Sequence, residues 1–442
     1  MGDASERVPA DGVLRMSGIR TIGPAKPRRR RRRIGGTAAG STLGASVAIA
    51  LLLALAFQGG TAAASSVVRA AGAKTPFRDS PRSRKEARLA GSTAAGILRT
   101  GNAYATSRNY NRYQYIVVGP ADASRAASLK ARSFVYQSAM DVPTGWNAGV
   151  SHEQALAHGW LLKDARGNYL KSRGWDFDVA DVGNPAFRRA WLENVSALLA
   201  RSHVDGVFID TVIADLRTLT GGVAAEKYPT QRSWENAVAG FMAFVGPALK
   251  AKGFYVLTNA NKYVSGDNAS DNGSSTAAWW RRIGPSVSGL ANEYFVQNPA
   301  TPAQLRGLGS EWYNHWDGWQ RLVSVAQRVH ADFFGVTYAS STNMQAMRYA
   351  KASFLLDWDG HGGGLFIDCG CPDPWNGAWT ANIGAPHGRK FQRRPGVWQR
   401  NYRRGTVVVN ATGTPVSVSI RGSSYTIAPA DALILGRSRT SR

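Results

Sequence analysis

Short apolar runs alternate with longer segments whose apolar residues recur at helical spacing. Eight runs have the length and composition of buried strands: residues 115–119, 133–137, 179–182, 207–209, 253–259, 289–293, 333–338 and 364–368. Amphipathic helical patterns lie between several of them, at residues 185–202, 234–251, 319–330 and 343–356. This alternation is typical of an α/β fold with a parallel sheet, and eight strands predict a (β/α)8 TIM barrel.

Polar or acidic side chains end most of the predicted strands. They are Gln137, Asp181, Asp210, Asn259, Glu293, Thr337 and Asp368. In barrel enzymes the carboxyl ends of the strands form the rim that carries the chemistry, so these side chains should meet at one face. Their recurrence at strand ends indicates an active site more strongly than any one residue does.

The stretch 205–210, with the sequence Asp-Gly-Val-Phe-Ile-Asp, is the clearest of these strand ends. Three apolar residues separate Gly206 from Asp210, so a strand buried on both faces would end in a carboxylate. The helix predicted before it has Asn184 as its N-cap and Pro185 at its first position. Capping of the next turn is the alternative role for Asp210.

The ends of the chain follow different patterns from the barrel. An unbroken run of six arginines, residues 28–33, precedes the apolar stretch 45–57, an order typical of a secretory signal peptide or an N-terminal membrane anchor. Small residues at 62–64 and 71–73 favour cleavage. Alternating apolar and polar residues after about residue 395 predict a small C-terminal antiparallel β appendage that packs on the barrel.

These patterns predict four parts in an exported chain. They are a cytoplasmic basic segment with a signal or anchor at 1–64, a linker at 65–106, the barrel at 107–394 and the β module at 395–437. The product is expected to be secreted or attached to the cell envelope, outside the cytoplasm. A membrane contact is expected only through an uncleaved N-terminal segment.

Composition adds a large basic excess, a formal net charge of +25 over 442 residues. Residues 1–90 carry 17 Lys and Arg but 5 Asp and Glu, so about half of the excess lies outside the predicted barrel. No zinc-finger spacing, helix-turn-helix pattern or stacking-aromatic RNA motif accompanies it. A specific nucleic-acid partner is therefore not expected, whereas a surface protein that binds an anionic polymer through charge stays open.

Three motifs in this order resemble those of glycoside hydrolases with a (β/α)8 barrel: D-V-G-N-P at 181–185, D-G-V-F-I-D at 205–210 and N-E-Y-F at 292–295. The chain is most similar to the hypothetical glycosyl-hydrolase-like family numbered fifteen, over about residues 110–437. It resembles endo-α-1,4-polygalactosaminidases and α-galactosidase-like barrels more distantly. The resemblance implies cleavage of a polysaccharide or oligosaccharide, with Asp210 as nucleophile and Glu293 as acid/base.

Glycoside hydrolysis needs two carboxyl groups that flank the scissile bond. Strands four and six can supply such a pair, and their ends are separated by one intervening strand. We therefore expect Asp210 and Glu293 to lie as close together as a retaining mechanism requires. A salt bridge with an arginine is the alternative role for Glu293.

Six further residues are candidates for substrate binding: Asp181, Asn259, Trp280, Tyr338, Asp357 and Asp368. Asn259 is also expected to hydrogen-bond Asp210, and helix capping is the alternative for Asp181. The glycine-rich stretch after Asp357 is either a substrate-binding loop or a plain connection. It lacks the ligand order of a calcium loop, and His361 has no second histidine at metal spacing, so no metal or other cofactor is expected.

The only cysteines, Cys369 and Cys371, are separated by one residue. They form either a strained loop disulfide or free thiols. The leading hypothesis for the whole chain is a monomeric exported glycosidase. Because a fold does not confer activity, a non-catalytic carbohydrate-binding barrel attached to the envelope is the alternative.

Overall fold

The computed structural model describes residues 97–99, 113–263, 272–298, 301–308, 315–338, 342–367 and 383–436. Asp368, both cysteines and the predicted segment 1–64 lie outside these ranges. The described strands are β1 (Ile97–Arg99), β2 (Tyr115–Val118), β3 (Arg132–Ser138), β4 (Asp141–Val142), β5 (Asp178–Val179), β6 (Gly206–Ile213), β7 (Tyr255–Asn261), β8 (Gly289–Asn292), β9 (Gln297–Asn298), β10 (Thr301–Leu305), β11 (Asp332–Thr337), β12 (Gly364–Ile367), β13 (Pro386–Arg394), β14 (Val397–Tyr402), β15 (Gly405–Asn410), β16 (Val416–Ile420), β17 (Ser423–Ile427) and β18 (Asp431–Gly436). The α-helices are α1 (Ala123–Ala127), α2 (His152–Ala157), α3 (Pro185–Ser202), α4 (Leu216–Leu219), α5 (Gln231–Ala251), α6 (Ser274–Ile283), α7 (Trp316–Gln320), α8 (Leu322–Arg328) and α9 (Met344–Leu355).

Eight parallel strands close into a barrel, so the predicted (β/α)8 architecture is confirmed. Their order around the ring is β1, β2, β3, β6, β7, β8, β11 and β12, and β12 pairs with β1 to complete it. Aromatic rings meet across the interior: Phe134 on β3 contacts Tyr255 on β7, with ring centroids 5.2 Å apart, although β6 lies between these strands. The barrel is therefore filled by side chains, as in other packed barrels.

Two strand predictions are wrong, and their effects on the strand count cancel. Residues 178–179 (β5) pair antiparallel with β4, in an excursion between β3 and α3, so residues 179–182 are not a barrel strand. The first barrel strand is instead β1, inside the segment predicted to be a linker. Buried aspartates interrupt the apolar residues around β5, unlike the continuous apolar run of a strand in a parallel sheet, and three residues are too few for β1 to show a period. Asp210 still lies on the fourth barrel strand, and Glu293 still follows the sixth.

Helix α3 packs against the barrel as its sequence pattern indicates. The Asn184 side chain accepts hydrogen bonds from the backbone N–H groups of Ala186, at 2.9 Å, and Phe187, at 3.4 Å. Such a cap contributes about 1 kcal/mol. Trp191 lies in the buried stripe of the helix, and its indole N–H donates to the Ser138 carbonyl at the end of β3, at 2.9 Å. The helix is thus joined to the carboxyl rim of the barrel.

The predicted C-terminal β appendage is present and packs on α9. Strands β13, β14, β15 and β18 form a four-stranded antiparallel sheet, and β16 and β17 form a hairpin. The sheet begins at Pro386, before the predicted boundary, because β13 is polar and mostly exposed and so lacks a clear period. Arg348 on α9 donates to Asp431 at the start of β18, at 2.9 Å. None of the described helices is long and apolar enough to cross a membrane.

Replacing Gly206 by alanine should destabilise the barrel. A Cβ at this position would lie 2.0 Å from the carbonyl oxygen of Tyr255 on the adjacent strand, so the backbone pairing itself would have to shift. We expect the free energy of unfolding to fall by about 1–3 kcal/mol, measured by denaturant titration. Gly145→Ala is the matched control, because nothing lies within 4 Å of a Cβ added there. Equal stability of the two variants would contradict this packing.

Candidate active site

A β-bulge in the fourth barrel strand aims Asp210 at the barrel mouth. Strand β6 continues to Ile213, past the predicted strand end, and its register against β7 shifts between Ile209 and Val212. Within the bulge, Thr211 has a φ of +55°, which is costly for a β-branched residue. Bulges are common beside active sites because they re-aim a side chain. The local strain thus falls on the residue next to the candidate nucleophile.

Three donors hold the Asp210 carboxylate. The Tyr136 hydroxyl on β3 donates to Oδ2 at 2.7 Å, and the Asn259 amide on β7 donates to Oδ1 at 2.8 Å. The backbone N–H of Thr211 also donates to Oδ1, at 2.9 Å. The side chain is buried, at 6% exposure. Its orientation is therefore fixed from both neighbouring strands.

A chain of asparagines extends from Asp210 towards the sixth strand. The amide nitrogen of Asn261 donates to Oδ1 of Asn259 at 3.0 Å, and that of Asn292 donates to Oδ1 of Asn261 at 3.1 Å. Since Asn259 accepts through its oxygen, its NH₂ group is the end that faces Asp210. The chain ends at the residue immediately before Glu293. It links the ends of strands four, five and six.

Glu293 follows β8 and is only partly buried. Its Oε1 atom accepts a hydrogen bond from the Tyr338 hydroxyl at 2.9 Å. Tyr338 is held in turn by Gln297, which accepts from its backbone N–H and donates to its carbonyl, both at 2.5 Å. The rings of Tyr338 and Tyr294 pack with centroids 4.5 Å apart. Asp210 and Glu293 therefore lie at the same rim, each oriented by a tyrosine from another strand.

Asp141, which the sequence analysis missed, supports the bulge. Its Oδ2 atom accepts from the Thr211 hydroxyl at 2.8 Å. Burial raises the pKa of Asp141 from 3.8 to about 6, and the charge of Asp210 adds to the rise, whereas hydrogen bonds from Thr211 and other hydroxyls oppose it. Asp141 lies three residues after the end of β3, at the same rim as Asp210. The sequence could have identified Asp141 as a site residue, because it lies just beyond the end of a predicted strand.

Asp181 is engaged away from Asp210. It accepts from the Lys227 ammonium group at 2.5 Å and from the Tyr228 hydroxyl. Burial and the Asp181 carboxylate together raise the pKa of Tyr228 above its ordinary value. The N-cap of α3 is Asn184, so the capping alternative for Asp181 is wrong. Asp181 instead ties the excursion to the segment before α5.

Trp280 cannot stack on a sugar in this structure, so that prediction is wrong. The side chain is fully buried in the helix layer, where its indole N–H donates to the Ala260 carbonyl at 2.5 Å. Its ring packs against Phe333, with centroids 6.0 Å apart. Trp280 is a core residue between α6 and the barrel.

Asp357 lies at the opposite rim of the barrel, so its predicted role in substrate binding is also wrong. It follows α9 and precedes β12, and loops from helix to strand lie at the amino end of the strands. In the same loop, the Gly363 N–H donates to the hydroxyl of Tyr115, the first residue of β2, at 3.2 Å. Asp357 itself pairs with Lys390 at 2.7 Å. The loop is a structural connection.

The described residues contain no group of three or more His, Cys, Asp or Glu side chains that could hold a metal ion. A (β/α)8 barrel with two carboxyl groups at its carboxyl rim has the architecture of a glycoside hydrolase.

The family comparison agrees with this class. Residues 127–406, well over half of the chain, match the model of hypothetical glycosyl hydrolase family 15, and the chain belongs to this family. It is a glycoside hydrolase by class, and hydrolysis of carbohydrate is the activity that follows. No curated protein matches the chain.

Solved structures similar to this chain include carbohydrate-active enzymes. The glycoside hydrolase domain of PelA from Pseudomonas aeruginosa is 16% identical, with a TM-score of 0.42, over 67% of this chain and 98% of that one. Ega3 from Aspergillus fumigatus in complex with galactosamine is 13% identical, with a TM-score of 0.37, over 63% and 92%. A pullulanase from Anoxybacillus sp. LM18-11 with maltotriose is 11% identical, with a TM-score of 0.46, over 78% and 70%. No sugar is inferred from them.

The raised pKa of Asp141 predicts a pH dependence of stability. A carboxyl whose pKa is higher in the folded protein binds its proton more tightly there, so its contribution is largest below about pH 4 and is lost as the pH rises through about 6. Relative to Asp141→Asn, the wild type should lose about 3 kcal/mol of unfolding free energy between these limits. Denaturant titrations at several pH values measure the difference.

Asp176→Asn is the matched control for this change, because it alters an exposed carboxylate on the same excursion, at 90% side-chain exposure. A wild-type advantage over Asp141→Asn that stays constant with pH would show that Asp141 does not titrate in this way.

Proposed function

We propose that this chain is an exported glycoside hydrolase that cleaves a polysaccharide or oligosaccharide by a retaining mechanism, with Asp210 as nucleophile and Glu293 as acid/base. The observation that carries the proposal is the placement of both acids at one rim, on strands four and six, with a hydrogen-bonded asparagine chain between them. Asn259 and Tyr136 fix Asp210, and Tyr338 contacts Glu293.

In the first step the Asp210 carboxylate attacks the anomeric carbon of the bound sugar. The bond to the leaving oxygen breaks, and Glu293 transfers its proton to that oxygen. The product of this step is a glycosyl ester on Asp210, together with a free leaving group. The donors from Tyr136 and Asn259 hold the carboxylate in the orientation that this attack requires.

In the second step a water molecule attacks the same carbon. Glu293, now ionised, accepts the proton of the water, and the ester bond to Asp210 breaks. The carboxylate of Asp210 is regenerated, and the released sugar has the anomeric configuration of the substrate. Glu293 is suited to both roles because it is partly exposed and water can reach it.

Export is supported by the sequence of residues 28–57, where the arginine run precedes the apolar stretch. A polysaccharide outside the cytoplasm is then the expected substrate, and the enzyme is expected to be secreted or attached to the envelope. The proposed unit is a monomer.

Asp210→Asn should abolish turnover, because an amide cannot form the glycosyl ester. Glu293→Gln should still form the glycosyl enzyme from aryl glycosides whose leaving group needs no proton, but should release it slowly. The wild-type chain is first assayed on a panel of polysaccharides and aryl glycosides, and the variants on whatever is cleaved. Asp359→Asn is the matched control, since Asp359 is exposed and lies in the loop at the opposite rim. Wild-type rates for Asp210→Asn would exclude it as nucleophile. No cleavage by the wild type would favour the non-catalytic carbohydrate-binding barrel.

The retaining mechanism predicts that the first-formed sugar keeps the anomeric configuration of the substrate. Two successive displacements at one carbon restore the original stereochemistry, whereas a single attack by water inverts it. Proton NMR during the first minutes of hydrolysis, before mutarotation, distinguishes the two anomers. The inverted anomer would show that Asp210 acts on a water molecule and not on the sugar.

A further inference from the structure

A row of aromatic rings leads from the partner of Asp210 to the protein surface. The ring of Tyr136, whose hydroxyl binds Asp210, lies 6.0 Å from that of Trp146. Trp146 lies 6.4 Å from Phe177, and Phe177 stacks on Trp175 at 6.3 Å, with their planes 15° apart. We call Trp146, Phe177 and Trp175 the aromatic row. None of these three was assigned a function from the sequence.

The aromatic row belongs to the carboxyl face of the barrel. All three residues lie in the excursion between β3 and α3, and segments from strand to helix emerge at the rim that carries Asp210. Trp146 and Phe177 are partly buried, and Trp175 is 41% exposed. Trp175 is the one tryptophan among the exposed large apolar side chains of the described residues. Packing in the hydrophobic core does not explain a tryptophan ring as exposed as that of Trp175.

The backbone around Trp175 is firmly held. Ser172 N–H donates to the Phe177 carbonyl at 2.7 Å, and Asp176 N–H donates to the Ser172 carbonyl at 3.2 Å, which closes a tight turn. Arg173 N–H donates to the Leu219 carbonyl at 2.7 Å and so ties this turn to the segment after β6. A ring on a preorganised turn loses little conformational entropy when it binds a ligand. The turn therefore presents Trp175 as a fixed platform.

We infer that the aromatic row forms binding subsites for pyranose units of a polymeric substrate at a distance from the scissile bond. The inference rests on the proposed function, since it extends the same site. Pyranose rings have apolar C–H faces, and flat aromatic side chains offer them a large rigid contact area. Three rings separate Asp210 from Trp175, so the outermost subsite holds a sugar several contacts away from the reacting bond. The enzyme should accordingly prefer long chains to short glycosides.

The kinetic test compares Trp175→Ala with Phe244→Ala, in the full chain. Phe244 is equally exposed, at 40%, but lies on the outer helix α5. On a cleaved polysaccharide, Trp175→Ala should raise KM by about fivefold to tenfold with little change in kcat, whereas Phe244→Ala should match the wild type. The loss should be smaller on an aryl monoglycoside, which is too short to reach Trp175. Equal losses on both substrates, or none on the polymer, would overturn the inference.

A binding test separates this inference from the proposed mechanism. Asp210→Asn, with and without Trp175→Ala, is run in native gels containing soluble starch, hydroxyethylcellulose, chitosan or pectin. Retardation of Asp210→Asn that falls with the added Trp175→Ala change supports the subsite, even if Asp210→Asn proves active and the proposed nucleophile is wrong. Equal retardation of the two proteins, or no retardation in any gel, would overturn the subsite while leaving the catalytic test unaffected.

Discussion

The hydrogen bond between Asn259 and Asp210 is the interaction on which the arrangement of the barrel mouth depends. Polar groups that are buried must be paired, and Asp210 and the three asparagines of the chain are each at most 7% exposed. Asn259 directs its NH₂ group to Asp210 and its oxygen to Asn261, and Asn261 is oriented in the same way by Asn292. Each amide thus fixes the direction of the next. The arrangement of the acids is a property of three adjacent strands and not of one motif.

The same region contains two features that lower the stability of the folded chain. Thr211 has a positive φ, and Asp141 is a fully buried carboxyl whose pKa is raised to about 6. Each feature is unfavourable by itself, and the hydrogen bond from the Thr211 hydroxyl to the Asp141 carboxyl links them. Proteins retain such destabilising features where they hold a reacting group in a defined position. The bulge that they stabilise is the one that aims Asp210 at the barrel mouth.

The sequence predicted those parts of the site that follow directly from strand ends. Asp210, Asn259 and Glu293 each follow an apolar run, so the rule that barrel chemistry lies at the carboxyl rim is sufficient to find them. Tyr136 could not be found in this way, because its hydroxyl role arises only when barrel closure places β3 beside β6, 74 residues along the chain from Asp210. Asp357 was misplaced because its loop follows a helix, and the same rule assigns such loops to the opposite rim.

In the proposed enzyme, the excursion between β3 and α3 contributes to substrate recognition, whereas the barrel strands carry the chemistry. Ion pairs hold it together: within the excursion Asp178 pairs with His152 at 2.8 Å and with Lys171 at 3.0 Å, and Asp181 pairs with Lys227 outside it. The pair between Asp181 and Lys227 joins the excursion to the segment before α5, and its apolar residues, Val142 and Val179 among them, share one core cluster with Val207 of the fourth barrel strand. In the function that we propose, the barrel determines which bond-breaking chemistry is available, while the shape of the excursion, including its aromatic row, determines which carbohydrate chains can approach it.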